Sequence, residues 1–106
     1  RLCSSAASDV YKRQVLVSNY KEHPKVPAIE QKLSTATAAQ NIMLALNAMN
    51  YSSMWRTGKF AFNKMVQTEL GLDINQEIIG YLYIGTEVGK KKKIPELNIN
   101  DFVSYL

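Results

Sequence analysis

The sequence predicts a small domain of mixed class, with both helices and strands. Two short apolar runs, Val15–Ser18 and Ile78–Gly85, are rich in β-branched and aromatic residues, which is typical of strands. Between them, the apolar residues of Ala28–Asn50 recur at steps of three and four, the spacing of one face of a helix. With 106 residues, the chain is long enough for one such domain.

The composition favours a folded protein and excludes a membrane-spanning one. Hydrophobic residues make up 46% of the chain, which argues against wholesale disorder. No apolar run reaches the roughly 18–20 residues that a transmembrane helix needs, and no segment has the pattern of a secretory signal. The single cysteine, Cys3, has no partner for an internal disulfide. This fits a reducing compartment, and we expect a cytoplasmic protein.

The first 14 residues differ from the rest of the chain. Arg1–Gln14 shows no sustained period of 2 or 3.6, and it does not begin with Met. The string resembles translated sequencing-adapter DNA at the edge of an assembled metagenomic read, so we exclude it from the fold as an artefact. The alternative is a natural, disordered N-terminus. If the string is an artefact, the domain proper covers residues 15–106 and its N-terminal part is missing.

A loop and two helices are expected between the two strands. Asn19–Pro27 contains two prolines within four residues, which predicts a loop, and its His23 has no second ligand at metal-binding spacing. The second half of the first helix is apolar nearly all round, so we expect it to be buried on several sides, with a second subunit as one candidate cover. Phe60–Leu70 predicts a shorter amphipathic helix that Gly71 caps.

The C-terminal third of the chain contains a predicted strand, a basic run and an apolar end. Ile78–Gly85 is apolar throughout, which favours a strand buried on both faces. The C-terminal residues Phe102, Val103, Tyr105 and Leu106 are apolar enough that we expect them to pack against something rather than extend freely into water. Lys90–Lys93 is interpreted as a solvated basic loop, because a nucleic-acid patch would need aromatic or Arg residues among the lysines.

The most informative stretch is Tyr51–Gly58, with the sequence Tyr-Ser-Ser-Met-Trp-Arg-Thr-Gly. It is predicted to be a polar turn between two apolar elements, a common place for a small-molecule site. The sequence contains no Ser-His-Asp, Cys-His or paired-carboxylate arrangement. Asp73 and Glu77 are four residues apart, but no nearby basic residue is expected to tune them.

Four motifs in the same order resemble those of nitroreductase-family flavoproteins of the small, single-domain NAD(P)H type. They are Lys25-Val-Pro with Glu30-Gln31, Met54-Trp-Arg-Thr-Gly58, Ile79-Gly-Tyr-Leu-Tyr-Ile-Gly-Thr86 and Phe102-Val-Ser-Tyr105. Each motif is weak alone, but the four occur in the right order and are spread over Val15–Leu106. The resemblance implies an α+β, nitroreductase-like fold with a central sheet flanked by helices, of which residues 15–106 form the C-terminal part.

The same resemblance implies the cofactors and the site. Two subunits of a homodimer would share FMN sites, and Trp55, Arg56, Thr57 and Gly58 would line the flavin. The end of the long helix would lie beside the nicotinamide nucleotide, NADH or NADPH. That segment consists of Ala45, Leu46, Asn47, Ala48, Met49 and Asn50. No catalytic acid or base and no metal are expected, since a flavin itself performs hydride chemistry.

The implied activity is a ping-pong transfer of electrons from NAD(P)H to a nitroaromatic, a quinone or a similar small electron-poor acceptor. The family's N-terminal Arg-Arg-Ser-type segment, which holds the flavin phosphate, has no counterpart here, so we expect the chain alone to be inactive. Lys90–Lys93 could also assist a phosphate. The alternative function is a small non-enzymatic α+β interaction module whose Lys90–Lys93 loop contacts an acidic partner.

Overall fold

The computed structural model, which describes residues 9–86 and 92–106, contains a three-stranded sheet packed against a long helix. The elements, in chain order, are β1 (Asp9–Asn19), α1 (Ala28–Ala48), β2 (Ser52–Arg56), a 3₁₀ turn (Lys59–Ala61), α2 (Lys64–Glu69), β3 (Gln76–Thr86) and a second 3₁₀ turn (Ile99–Asp101). The strand order is β1-β3-β2, and both outer strands run antiparallel to β3. The predicted mixture of helices and strands is confirmed.

β1 is longer than the strand predicted at Val15–Ser18. Its pairing with β3 begins at Asp9, opposite Thr86, and continues to Asn19 with two register shifts. The predicted domain boundary at Val15 therefore falls inside the strand, because backbone pairing with β3 orders residues that show no periodicity of their own. Whether residues 1–14 are adapter sequence stays a prediction, and residues 1–8, with Cys3, lie outside the described part of the chain.

The core lies between α1 and one face of the sheet. Leu16 of β1, Ala39 of α1 and Leu82 of β3 form its centre, and Ala39 and Leu82 are completely buried. Met43 and Trp55 pack against this centre and are half-buried. A small residue at position 39 lets the helix approach the sheet closely.

Within a single chain, α1 is not buried on several sides, and its cover by a second subunit stays a prediction. Ala39 is the buried residue of the helix. Large apolar side chains elsewhere on it, including Ile29, Leu33 and Leu44, are exposed. The reason is geometric: α1 packs on the sheet with one face, and none of the described elements covers its other faces.

The stretch predicted as a polar turn is instead a strand. β2 comprises Ser52–Arg56 and pairs with β3 from Ser52 opposite Gly85 to Arg56 opposite Tyr81. Its composition of Ser, Met, Trp and Arg gives no clear strand pattern, and pairing with an apolar neighbour decides the outcome. The turn is confined to the residues that follow Arg56.

The second predicted helix is broken into two pieces. A 3₁₀ turn covers Lys59–Ala61, and α2 begins at Lys64, because the Asn63 side chain accepts hydrogen bonds from the amides of Met65 (2.8 Å) and Val66 (3.4 Å). An asparagine cap of this kind starts a new helix rather than continuing an old one. Gly71 follows α2 with a φ of +72°, which fits the predicted cap.

The prediction that β3 is buried on both faces is also wrong. β3 is buried on one face and half-buried on the other, so its residues alternate rather than being buried throughout. At the C-terminus, Phe102 and Tyr105 are exposed in the single chain, so what they pack against stays a prediction. In the described part of the chain, no helix is long and apolar enough to cross a membrane.

Candidate functional site

The candidate nucleotide-contacting segment, Ala45–Asn50, forms the last turn of α1 and its cap. The amide of Tyr51 donates to the carbonyl of Leu46 (2.9 Å), and the amide of Asn50 donates to that of Asn47 (3.1 Å). Asn50 has a φ of +65°, so the helix ends in a Schellman-type motif with Asn50 in the left-handed position. The sequence predicted a helix that continues to about Asn50. In the structure the helix ends at Ala48.

The chemistry of that helix end is limited. Leu46 is half-buried and the other five residues of the segment are exposed. The last turn contains no basic residue. The segment can therefore offer shape, backbone groups and the Asn47 and Asn50 amides to a nucleotide, but no positive charge for its phosphates.

Trp55 and Arg56 lie in consecutive positions of β2 and project to opposite faces of the sheet. Trp55 packs against the core under α1, whereas Arg56 is exposed. Arg56 stands opposite Tyr81 of β3. The four candidate flavin residues are consecutive in the chain. The structure nevertheless places the indole of Trp55 and the guanidinium of Arg56 on opposite faces of the sheet.

The turn after β2 depends on Gly58. Its φ of 61° and ψ of 179° lie in a region that is essentially restricted to glycine. The carbonyl of Gly58 accepts a hydrogen bond from the amide of Ala61 (3.3 Å), which closes the 3₁₀ turn. The hydroxyl of Tyr81 donates to the carbonyl of Phe60 (3.1 Å) and ties this turn to β3.

These residues fit a flat group that gains negative charge on reduction, such as a flavin ring. A Cβ built on Gly58 would meet nothing within 4 Å, so the space on that side of the backbone is open. The exposed Arg56 supplies a positive charge two residues away, and Thr57 supplies a hydroxyl. A nearby cation stabilises the negative charge of a reduced flavin, and polar groups beside an open backbone can form hydrogen bonds with its ring.

Sequence reasoning missed a second polar cluster at the other end of the sheet. The hydroxyl of Tyr20 donates to Oε2 of Glu77, and Nζ of Lys32 lies 2.9 Å from Oε1 of the same carboxylate. Glu77 was expected to have no basic neighbour, and that expectation is wrong. Lys32 comes from α1 and Tyr20 from the loop after β1, so nothing local in the sequence could indicate the contact.

This cluster shifts the pKa of each of its members. The hydrogen bond from Tyr20, followed by the one from Lys32, lowers the pKa of Glu77. The same bond to Glu77 raises the pKa of Lys32. Burial raises the pKa of Tyr20, and the bond to Glu77 adds to the effect. The cluster therefore holds an ionised Glu77 between a lysine and a neutral tyrosine.

Gln31 organises the loop that the sequence predicted at Asn19–Pro27. Its Oε1 accepts a hydrogen bond from the amide of Lys21 (2.9 Å), and its Nε2 donates to the carbonyls of Lys21 (2.8 Å) and Val26 (3.1 Å). His23 lies in this loop and accepts a hydrogen bond from the amide of Lys25 through Nδ1 (3.1 Å). An open depression of about 400 Å³ adjoins the loop, between Asn19 and α1.

Other candidate groups add little to the site. Within residues 9–86 and 92–106, no three His, Cys, Asp or Glu side chains are close enough to hold a metal ion. The basic loop Lys90–Lys93 falls partly outside the described residues, since Lys90 and Lys91 are not among them. Lys92 and Lys93 are exposed.

Comparisons with known proteins identify the family. The family model described as "Nitroreductase family" matches residues 10–86. One relative is YdjA of Escherichia coli strain K12, which is named as a candidate NAD(P)H nitroreductase. It is 30% identical to this chain over 93 residues, which cover 85% of this chain and 50% of YdjA. A Haemophilus influenzae protein with a similar name is 30% identical over 83 residues, 77% of this chain and 45% of its own.

The fold agrees with this result. The crystal structure of a nitroreductase-like family protein from Bacillus cereus superimposes with a TM-score of 0.73 at 19% identity, covering 89% of this chain and 50% of that one. The chain thus spans about half the length of the curated relatives it matches. The matched region runs from β1 through the whole of β3 and includes both candidate segments. The resemblance read from the four motifs is confirmed, and the chain belongs to the nitroreductase family.

Proposed function

We propose that residues 15–106 are the C-terminal part of an FMN-dependent oxidoreductase. This enzyme passes electrons from NAD(P)H to small electron-poor acceptors such as nitroaromatics or quinones. The observation that supports this most is the turn after β2, where the glycine-specific backbone of Gly58 leaves open space two residues after the exposed Arg56. The turn lies inside the region that matches the family model, and the curated relatives are named for NAD(P)H-linked nitroreduction.

Each residue of the segment Trp55–Gly58, which covers the end of β2 and the start of the turn, has a distinct part in the proposal. Gly58 lets the flat ring approach the backbone, because any Cβ would stand in that space. Arg56 offers a positive charge that stabilises the extra negative charge of the reduced ring. Thr57 fixes the ring of Trp55 through a hydrogen bond, and Trp55 forms a wall between the turn and the core.

A bound flavin supplies the hydride chemistry, in two half-reactions with the donor and then with the acceptor. The protein's residues bind and orient the flavin and shield it from water, and none of them is required as an acid or base. The exposed apolar side chains of α1 support the proposal of a homodimer, since such surfaces commonly meet a partner. Because the chain spans about half of its relatives, we propose that it is inactive by itself.

The test uses the full reading frame that contains residues 15–106, obtained from the source DNA. We expect a yellow protein with a flavin absorption band that oxidises NAD(P)H when a quinone is added. Arg56→Glu should weaken FMN binding at least tenfold, about 1.4 kcal/mol, or shift the flavin potential downward, since it replaces a stabilising charge with a repulsive one. Affinity is measured by quenching of FMN fluorescence, and potential by dye equilibration.

Lys21→Glu is the matched control, because it makes the same change of charge in the exposed loop after β1. A colourless protein without affinity for FMN would overturn the proposal. Unchanged affinity and potential in Arg56→Glu would remove Arg56 from the site and leave the family assignment intact.

A further inference from the structure

Gly80, in the middle of β3, lies directly beneath the indole of Trp55. A Cβ built on Gly80 would overlap Nε1 of the indole and would lie 2.9 Å from both Cδ1 and Cε2. These atoms belong to the rigid five-membered ring, so a small rotation about a side-chain bond cannot move them out of the way without moving the whole indole. No residue larger than glycine fits at position 80 while Trp55 keeps its place.

The edge of the same ring is held by a hydrogen bond. Nε1 of Trp55 donates to Oγ1 of Thr57 over 3.3 Å. The ring is therefore fixed on two sides, by the bare backbone of Gly80 below and by the Thr57 hydroxyl at its edge. Thr57 lies between Arg56 and Gly58, so the position of the indole is coupled to the backbone of the turn.

We propose that Gly80 is a positioning residue for the candidate flavin segment Trp55–Gly58 and acts through the indole of Trp55. This inference rests on the proposed function for its purpose, but the contact itself can be tested without a cofactor. An ordinary strand glycine weakens its strand, so replacing it with alanine commonly stabilises a protein. Here the same change should move the ring and the turn attached to it.

The first experiment measures the fluorescence of Trp55, which is the only tryptophan of the chain. In Gly80→Ala the displaced, more solvated indole should emit at longer wavelength than in the original protein. Thr57→Val should give a smaller shift because it removes the hydrogen bond, and Thr57→Ser should restore the original spectrum because it keeps the hydroxyl. An unchanged spectrum in Gly80→Ala would overturn the proposal.

A double-mutant cycle shows whether the effect passes through the indole. Gly80→Ala should lower the midpoint of urea unfolding in the original background. In a Trp55→Leu background, where the ring is absent, the loss should disappear. If Gly80→Ala alone fails to fold, recovery of folding in the double variant supports the contact. An equal loss in both backgrounds overturns it.

The last measurement connects the contact to the cofactor and uses the full reading frame. Gly80→Ala should weaken FMN binding about tenfold. Thr57→Val should weaken FMN binding less than Gly80→Ala does, and Thr57→Ser should leave the affinity unchanged. If the unsubstituted full-length protein binds FMN and its Gly80→Ala variant binds FMN equally well, the positioning role is overturned and the proposed function stands. If the original protein binds no FMN, the proposed function and this role both fail, while the fluorescence still reports the contact.

Discussion

The turn from α1 into β2 depends on the conformation of one residue. Asn50 has a φ of +65°, and the amides of Asn50 and Tyr51 both close the helix end. Asparagine tolerates the left-handed conformation better than other non-glycine residues do. This places β2 immediately after the helix and sets the position at which Ser52 begins to pair with β3.

A substitution at Asn50 should therefore act through backbone strain. We expect Asn50→Val to lower the free energy of unfolding by about 1–2 kcal/mol, because a β-branched side chain clashes with the left-handed backbone. Asn50→Gly, the matched control, should leave it within a few tenths of a kcal/mol or raise it slightly. Urea unfolding followed by circular dichroism measures both variants. Equal stability of Asn50→Val and Asn50→Gly would contradict the strain argument.

The candidate residues themselves could be found from the sequence, but their orientation could not. The order of Trp, Arg, Thr and Gly indicated the site through the family resemblance. The placement of Trp55 over Gly80 follows from the pairing of β2 with β3, which also sends Arg56 to the opposite face. Side chains alternate across a strand, so an interpretation of this stretch as a turn could not predict that separation.

At the scale of elements, the Tyr20–Glu77–Lys32 cluster joins three parts of the fold. Glu77 lies in the second position of β3, Lys32 lies in the first half of α1, and Tyr20 directly follows β1. Ser18, at the end of β1, is buried, and the amide of Tyr20 donates to the carbonyl of Asn75 over 2.7 Å. The cluster therefore closes the end of the sheet that lies away from Trp55.

The stability of the chain should depend on pH through Glu77. Its pKa is lowered in the folded state, so its contribution is present above 4.5, the ordinary value, and is lost as the pH falls through the lower folded value. The raised pKa values of Lys32 and Tyr20 add stability that is present below their ordinary values of 10.5 and 10.0 and is lost at higher pH. We expect a plateau between these limits.

Thermal unfolding between pH 3 and pH 7 tests this expectation. Glu77→Gln should flatten the acid side of the profile, because the glutamine cannot be protonated. Glu69→Gln is the control, since Glu69 is exposed at the end of α2. If the original chain and Glu77→Gln lose stability in parallel as the pH falls, the cluster does not contribute as described.

At the scale of the whole molecule, the described core is too small for the surface that the chain exposes. The solvent-accessible area is 8772 Å², whereas a compact monomer of 12.0 kDa has about 6000 Å². The radius of gyration is 16.8 Å, against about 13 Å for a compact domain of this length. Many large apolar side chains are among the exposed residues. Exposed examples are Ile29, Leu33, Leu44, Ile94, Leu97, Ile99, Phe102 and Leu106.

We therefore expect the purified chain to associate. Light scattering after size-exclusion chromatography should give a mass above 12.0 kDa, and a hydrophobic dye should bind strongly. Leu33 and Leu44 lie 11 positions apart, and thus on nearly the same side of α1, so replacing both with Gln should reduce the mass. Ile74→Gln, at a side chain that is 96% exposed between α2 and β3, is the control. A monomer that binds no dye would contradict this expectation.

The sequence by itself determined the elements whose signals are local. The period of α1, the apolar run of β3, the proline-rich loop and the ordered motifs of the family can all be recognised from neighbouring residues. Only the tertiary structure decided what distant residues do to one another. It made Ser52–Arg56 a strand, drew Asp9 into β1 and set Trp55 on Gly80. It also joined Tyr20 to Glu77 across 57 positions. Strand pairing and side-chain packing depend on which segments meet, and local periodicity contains no information about that choice.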